Sequence, residues 1–411
     1  MRPSSIRVVL AASVGNALEW YDFIVFGFLA PQIAAAFFPH ASLLLTFGTY
    51  GASFLARPVG AAVLGGVADR RGRRAALSLS ILLMALGTLL MVVMPRYAQI
   101  GPASAFGILA ARLIQGFSAG GEFGGATALM IEHAPHRAGF FGSFQASSQT
   151  VAAILGSGVA WAVSASLPPD ALAAWGFRLP FILGLLVAPA GLYLRRHVPE
   201  TAILDAAAAQ ASPIRDVLRR HPGRILLGAC TVAAGTASTY LNIYLPTYAQ
   251  KHLHLASARS FGITFFIACV PLCITPFSAH FSDRTGRLPV MLGGAAALLL
   301  VSYPAFLLVT ADPTPTVLTL VLTVLTVLRA TYAAPLPTLL AEIFPARVRG
   351  VGMSVAYTLG VVVFGGFAQL ILEWLIERTG SPTIPGLYLA ATSAITLAAL
   401  LLIGRFVPLR L

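Results

Sequence analysis

Runs of about twenty apolar residues alternate with short charged or Pro/Gly-rich breaks roughly twelve times along the chain. A stretch of about twenty mostly apolar residues is what one α-helix needs to cross the hydrocarbon of a bilayer. The pattern predicts spans over 7–37, 43–68, 74–94, 102–133, 138–166 and 175–196, then over 224–252, 258–283, 287–310, 315–344, 349–378 and 384–406. The only long polar connection runs from His197 to Gly223 and holds Pro199, Glu200, Asp205, Asp216, Arg219, Arg220 and Pro222. The expected fold is an all-α membrane protein of twelve transmembrane helices in two pseudo-symmetric six-helix bundles. The first bundle covers 1–196, a central loop covers 197–223, and the second bundle covers 224–411.

Composition supports a lipid environment. Hydrophobic residues make up 57% of the chain and charged ones 10%, against about 25% charged in ordinary globular proteins. A water-soluble fold has too little interior to hide so much apolar surface. The net charge of +13 does not form a nucleic-acid surface, because the cations are dispersed and no basic patch alternates with aromatics. They gather at predicted helix ends instead. With the N-terminus inside, nineteen of the 27 Lys and Arg fall on cytoplasmic segments and five on the opposite side. That bias puts both termini in the cytoplasm of a multi-pass protein of a bacterial inner membrane. The first apolar run is long and has no small-residue cleavage pattern, so it is expected to be a retained helix. Cys230, Cys269 and Cys273 sit in apolar runs without paired spacing or accompanying histidines, which predicts neither disulfides nor a metal site.

Two internal echoes divide the chain. Gly65-Gly-Val-Ala-Asp69-Arg70-Arg-Gly72-Arg73-Arg74 recurs as Ala279-His-Phe-Ser-Asp283-Arg284-Thr-Gly286-Arg287, and Glu132-His-Ala-Pro135-His-Arg137 recurs as Glu342-Ile-Phe-Pro345-Ala-Arg347. Two parallel halves imply a pseudo-twofold axis along the membrane normal, with a binding site at their interface.

The Gly/Asp/Arg loop between the second and third spans resembles the signature loop of the major facilitator superfamily, and Arg112-Leu-Ile-Gln115-Gly116 resembles its fourth-helix motif. Three further stretches are similar to the metabolite:proton symporters: Gly15-Asn16-Ala-Leu-Glu19-Trp20-Tyr21-Asp22-Phe23, Phe54-Leu-Ala-Arg57-Pro58-Val-Gly60 and Gly120-Gly121-Glu122-Phe123-Gly124-Gly125-Ala126. In the second half, Tyr244-Leu-Pro246-Thr247-Tyr248, Ala341 to Arg349, Ser354-Val-Ala-Tyr357 and Val363 to Phe367 resemble citrate/tricarballylate symporters. The 2-oxoglutarate members share the Phe-Gly-Gly tract. The second signature loop departs from the pattern at Ala279 and Leu288, so the halves need not gate alike.

The chemistry follows from charges at membrane depth. Asn16, Glu19 and Asp22 share one helical face, and Arg112, Gln115, Ala119 and Glu122 share a sector about 80° wide at 100° per residue. Each charge facing lipid would cost about 2.5–3.5 kcal/mol, so the set must face itself or a wet cavity. Purely structural ion pairs would meet the same demand, but apolar packing holds helices together at lower cost. The expected mechanism has ionised Asp22 paired with Arg112. Protonation of Asp22 then frees the guanidinium for a substrate carboxylate, an arrangement that resembles proton-coupled sugar porters. Glu19 and Glu122 are the alternative proton sites.

Arg57 lies twelve residues before Asp69, about 18 Å into its helix, too deep to reach the surface easily. With Arg112 and Arg329 it supplies cations for a di- or tricarboxylate, although Arg329 is equally well placed near a helix end. Tyr21, Gln115, Gln145, Gln149, Asn242, Tyr244 and Tyr357 are candidate polar lining, the tyrosines equally placed for ordinary packing or an interface belt. Asp69, Arg70, Arg73 and Arg74, with Asp283, Arg284 and Arg287, are expected to latch the halves at the cytoplasmic face, or to serve as topology signals alone. No cofactor is expected beyond the coupling proton, and a monomer is expected.

Competing readings are uptake of 2-oxoglutarate, uptake of a zwitterionic osmolyte such as betaine or proline, and a non-transporting membrane sensor. Osmolyte members of the family usually carry a long C-terminal coiled coil, whereas here the sequence stops at Leu411, five residues after the last predicted helix. No H-E-x-x-H, G-x-S-x-G or Walker-type loop points to an enzyme. Gly156-Ser-Gly158 replaces the Gly-Pro-rich motif of drug antiporters.

Overall fold

The computed structural model describes residues 16, 17, 19–71, 73–121, 138–196, 214–345 and 348–406. Among them the chain folds into twelve spans. The first, α1, comprises Glu19–Phe28 and Ala30–Phe37, bent by 73° between them. Then come α2 (Leu43–Arg71), α3 (Arg73–Val93), α4 (Pro102–Ser118), α5 (Ala138–Ser166) and α6 (Leu179–Arg196). A short helix, Ile214–Arg220, leads into α7 (Pro222–Lys251), α8 (Ser257–Thr285) and α9 (Arg287–Ala311). The tenth span, α10, is two helices, Pro315–Ala333 and Leu336–Ile343. The eleventh, α11, runs Arg349–Val361, passes a π-helical turn at Val362–Gly366, and resumes as Ala368–Thr379; α12 is Ile384–Phe406.

Three spans expected to be continuous are broken, and each break has a local cause. Pro31 lacks the N–H that would bond back along α1 and its ring crowds the preceding turn, so α1 bends at Leu29. Pro335 and Pro337 do the same to α10. In α11, Gly365 and Gly366 let backbone approach where side chains would collide: a Cβ at Gly365 would strike Thr236 and Tyr240, and one at Gly366 would meet Phe54 at 3.0 Å. The predicted span 102–133 is helical to Ser118 and continues as a 3₁₀ turn, Ala119–Gly121; 122–133 lie outside the described residues.

Six described helices are long and apolar enough to cross a membrane on their own, or seven if the bent α1 is one span. The described apolar stretches of α3 and α6, Ser78–Val93 and Gly176–Leu186, are shorter, and α7 owes its lower hydropathy to position. α7 carries Thr231, Thr236, Ser238, Tyr240, Asn242, Tyr244, Thr247 and Tyr248, and most of its residues are buried by protein. A helix surrounded by other helices need not be apolar to lipid.

Among the described residues the halves meet most extensively where α5 packs against α8 and α2 against α11. Within the first half, α2 and α4 approach backbone to backbone. A Cβ at Gly116 would overlap the carbonyl of Ser53, and one at Gly60 the carbonyl of Phe117. Small residues allow this contact in lipid, where apolar side chains gain nothing by leaving it.

Gly116→Val should lower the thermal unfolding midpoint of the purified protein in detergent, at a cost of at least about 2 kcal/mol, because backbone cannot yield as a side chain does. Gly48→Ala, where an added Cβ meets nothing within 4 Å, should leave the midpoint unchanged or slightly raised.

Candidate functional site

A cavity of about 120 Å³ lies on the seam between the halves. Its walls come from α1 (Trp20, Ile24, Phe28), α5 (Gln149, Thr150), α7 (Thr236, Thr239, Tyr240, Asn242), α8, α10 (Arg329) and α11 (Tyr357). Four sequence-predicted residues therefore share it: Gln149, Asn242, Arg329 and Tyr357. Gln149 and Tyr357 face each other across the seam. The Arg329 guanidinium is held loosely. Its Nη1 donates to Thr239 Oγ1 at 3.3 Å, and its Nε has no partner among the described residues. A half-buried guanidinium with unused donors on a cavity wall can take a carboxylate in its planar fork.

A second polar system lies behind α1. Asp22 is 5% exposed and points away from the cavity toward α3 and α6. Thr88 on α3 donates to its Oδ2. Gln115 Nε2 donates to Thr88 Oγ1 at 2.9 Å, and Arg112 Nη1 donates to Gln115 Oε1 at 2.7 Å. The direct Asp22–Arg112 pair expected from the sequence is absent: the two are linked through Thr88 and Gln115. Helical-face arithmetic gives an azimuth on each helix and does not fix which neighbour a side chain meets. Arg112 is fully buried and lies over the rings of Phe23, Phe26 and Tyr50, with centroids 4.5, 4.5 and 5.0 Å from its guanidinium carbon. Such aromatic faces attract a desolvated cation.

Arg57 stands between the two systems. Its guanidinium carbon lies 4.3 Å from the Phe54 ring centroid, 4.7 Å from Phe23 and 5.8 Å from Trp20. Trp20 also lines the cavity, so Arg57 sits one ring behind its wall.

Several other candidates lie away from the cavity. Asn16 Nδ2 donates to Ser148 Oγ at 2.7 Å, tying α1 to α5. Tyr21 OH donates to the Pro180 carbonyl at 2.9 Å, toward α6. Tyr244 is engaged by Glu373, to which its hydroxyl donates; it is fully buried and packs edge-on against Phe47. Glu19 is half-buried and near Tyr357. The side chain of Gln145 and the whole of Glu122 lie outside the described residues.

At the arginine-rich end, Arg287 Nη2 pairs with Asp283 Oδ1 at 3.0 Å and its Nε with Glu342 Oε1 at 3.3 Å, joining α9 to α8 and α10. Arg284 and Arg70 are exposed; the side chains of Asp69, Arg73 and Arg74 lie outside the described residues. At the opposite end the seam is closed by aromatic packing between α2 and α7: Phe47 against Tyr244 at 5.6 Å, Tyr50 against Tyr240 at 6.1 Å and Phe54 against Tyr240 at 5.5 Å. Gly27 and Gly51 sit where side chains would collide with Ile243 and Phe367.

Sequence reasoning missed Thr88, Trp20, Tyr240 and Glu373. Thr88 and the two aromatics carry no charge and give no signal against an apolar background. Glu373 does carry one. It is fully buried and accepts from Tyr244, from Lys251, and from His252 Nε2 at 3.3 Å.

A chain of twelve helices in two halves around a seam cavity has the build of an alternating-access carrier. The sequence profile of the Major Facilitator Superfamily matches residues 12–368, and the chain belongs to that superfamily. It is 38% identical to a citrate-proton symporter of Klebsiella pneumoniae over 94% of this chain and 88% of that one. To a citrate-proton symporter of Salmonella typhi it is 36% identical, over 97% and 94%. To the ectoine/proline transporter ProP of Corynebacterium glutamicum it is 33% identical, over 97% and 84%. Among solved structures, the proton:xylose symporter XylE matches with a TM-score of 0.78 at 18% identity, over 98% of this chain and 96% of that one.

Glu373→Leu should destabilise the fold by about 1–3 kcal/mol, because it leaves the buried Tyr244 hydroxyl without its acceptor while Lys251 keeps Glu377. The measurement is the thermal midpoint in detergent. Tyr244→Phe, which removes one of three donors, should cost far less.

Proposed function

We propose that this chain is a proton-coupled symporter that imports a small organic anion, a di- or tricarboxylate such as citrate, by alternating access. The observation that carries this reading is Arg329, a half-buried guanidinium with spare donors on the wall of a cavity between the halves. A carboxylate is the group whose geometry it fits, and Gln149, Asn242 and Thr236 offer neutral hydrogen bonds to the rest of the molecule. The names of the two relatives at 36% and 38% identity point the same way.

The arginine-rich ends face the cytoplasm, and both chain termini lie there. The aromatic closure between α2 and α7 then faces outward. Asp22 takes the coupled proton, with Glu19 and Glu122 as the other acids at membrane depth. Arg57, one ring behind the cavity, becomes a second cation for a di- or tricarboxylate once Trp20 moves. Asp283, Arg287 and Glu342 brace the cytoplasmic end of the second half. The chain works as a monomer, with the proton as its only coupling partner.

A second reading has its own support. Trp20, Tyr240 and Tyr357 all border the cavity, and aromatic faces suit a quaternary ammonium. A betaine-like zwitterion would place its carboxylate on Arg329 and its ammonium among these rings.

Proteoliposomes under an inward proton gradient, offered labelled citrate, tricarballylate, 2-oxoglutarate and betaine, separate the readings. Citrate or tricarballylate should accumulate, and betaine should not. Accumulation of betaine alone overturns the carboxylate assignment. Arg329→Gln should lower kcat/KM for the accumulated substrate about 30-fold or more, as a charge left without its partner costs roughly 2–5 kcal/mol. Asp22→Asn should abolish accumulation driven by the gradient while retaining exchange.

A further inference from the structure

The path from Arg112 to Asp22 is a chain of hydrogen bonds with one direction. The guanidinium donates to the Gln115 carbonyl oxygen, the Gln115 amide nitrogen donates to the Thr88 hydroxyl oxygen, and the Thr88 hydroxyl donates to the Asp22 carboxylate. All four side chains are buried, at 0%, 0%, 1% and 5% exposure. Among the described residues no carboxylate lies within 4.0 Å of the Arg112 guanidinium. The cation therefore reaches the acid through neutral groups.

Thr88 is the member of this chain with a choice. It has one hydroxyl proton and two acceptors for it: Asp22 Oδ2, and the Met84 carbonyl one helical turn back at 3.0 Å. While Asp22 is ionised, the proton belongs on the carboxylate, because bonds to charged acceptors are the stronger ones. When Asp22 is protonated at Oδ2, its own O–H needs an acceptor. The Thr88 oxygen can serve only if its proton turns to Met84. Its two lone pairs then accept from Asp22 and Gln115 together. No bond is made or broken beyond the arrival of the proton. One hydroxyl rotates.

We propose that Thr88 is a positioning residue for proton coupling, a hydroxyl switch between the Asp22 carboxylate and the Met84 carbonyl that relays the protonation state of Asp22 to Gln115 and Arg112. The proposal rests on the reading of Asp22 as the coupled proton site. Tyr21 and Glu19 share α1 with Asp22; α2 contributes Arg57 and Tyr50, and α4 contributes Arg112. From α3 the facing group is Thr88. From α6 it is the backbone of Gly184, where an added Cβ would stand 2.8 Å from Asp22 Oδ1. No other described carboxylate contacts the chain of hydrogen bonds, so removing the hydroxyl isolates one donor to one acid.

The test needs no transported substrate. Infrared difference spectra of the protein in proteoliposomes, titrated over pH, should show a carboxylic-acid C=O band that Asp22→Asn abolishes. Thr88→Val, which has the same shape and no hydroxyl, should move the midpoint of that band to higher pH by about one unit, tenfold in proton concentration. Thr88→Ser should titrate like the parent. With labelled citrate, the pH of half-maximal uptake should shift in Thr88→Val and not in Thr88→Ser. All variants are compared at equal thermal midpoint, so a misfolded protein is recognised as such.

If the band titrates but Thr88→Val leaves its midpoint in place, or if Thr88→Ser shifts it as far as Thr88→Val, the switch is overturned and the Asp22 assignment stands. If no titrating band disappears in Asp22→Asn, both fall.

Discussion

An ionised group inside hydrocarbon has to be matched by charge, dipole or aromatic face, and how completely each is matched sorts the buried charges of this protein. Glu373 is answered in full by three donors, Tyr244, Lys251 and His252. Arg112 is wrapped by three rings and bonded to Gln115. Among the described residues, Arg112 still keeps Nε without a hydrogen-bond partner, Asp22 keeps one oxygen, Arg57 keeps Nε and Nη2, and Arg329 keeps Nε. Buried polar atoms left unpaired are uncommon and each calls for a reason. Here the arginines keep donors that an anion can take, and Asp22 is a carboxylate that its surroundings do not fully answer.

The helix irregularities fall where this reception takes place. Non-helical backbone at membrane depth is tolerated only against protein or a cavity. The π-helical turn of α11 lies against α2 and α7 at the seam. The break in α10 follows closely on Arg329, and residues on both sides of it, Ala333 and Leu336, line the cavity. The first piece of α1 carries Trp20, Ile24 and Phe28 on the cavity wall, and the bend at Leu29 comes immediately after. Straight helices can slide or tilt as rods. Helices broken at the seam can change direction on one side of the break while the other side stays packed.

Much of this was legible in the sequence, for reasons that differ by residue. The spans are legible because the bilayer sets a length. The bends at Pro31 and Pro335 are legible in principle because proline removes a donor, whereas the π turn depends on how closely α7 approaches Gly365. The cost argument places Asp22, Arg57, Arg112 and Arg329 inside. It says nothing about which neighbour each meets, because helical periodicity gives an azimuth on one helix and not the height of the helix beside it. That is why Asp22 and Arg112 share an interior without touching, and why Tyr21 and Tyr244 turn to a carbonyl and to Glu373 rather than to the cavity. Glu373 was open to the same cost argument, applied to α11. Thr88 was not, since a hydroxyl in an apolar helix is ordinarily satisfied by its own backbone, as this one partly is.

The two polar systems are separated by rings, and any coupling between them must pass that partition. Trp20 forms part of the cavity wall and carries Arg57 behind it; Tyr240 touches Trp20 at 6.5 Å and Tyr50 at 6.1 Å; Tyr50 lies under Arg112. Rings on this path belong to α1, α2 and α7, helices from both halves. A change in the charge felt by Arg112 therefore acts on the packing that closes the seam, and closure of the seam acts back on Arg112. Packed aromatics tend to rearrange between discrete arrangements rather than deform smoothly. A partition of this kind can hold two states of the carrier apart while letting a proton on one side alter which of them is preferred.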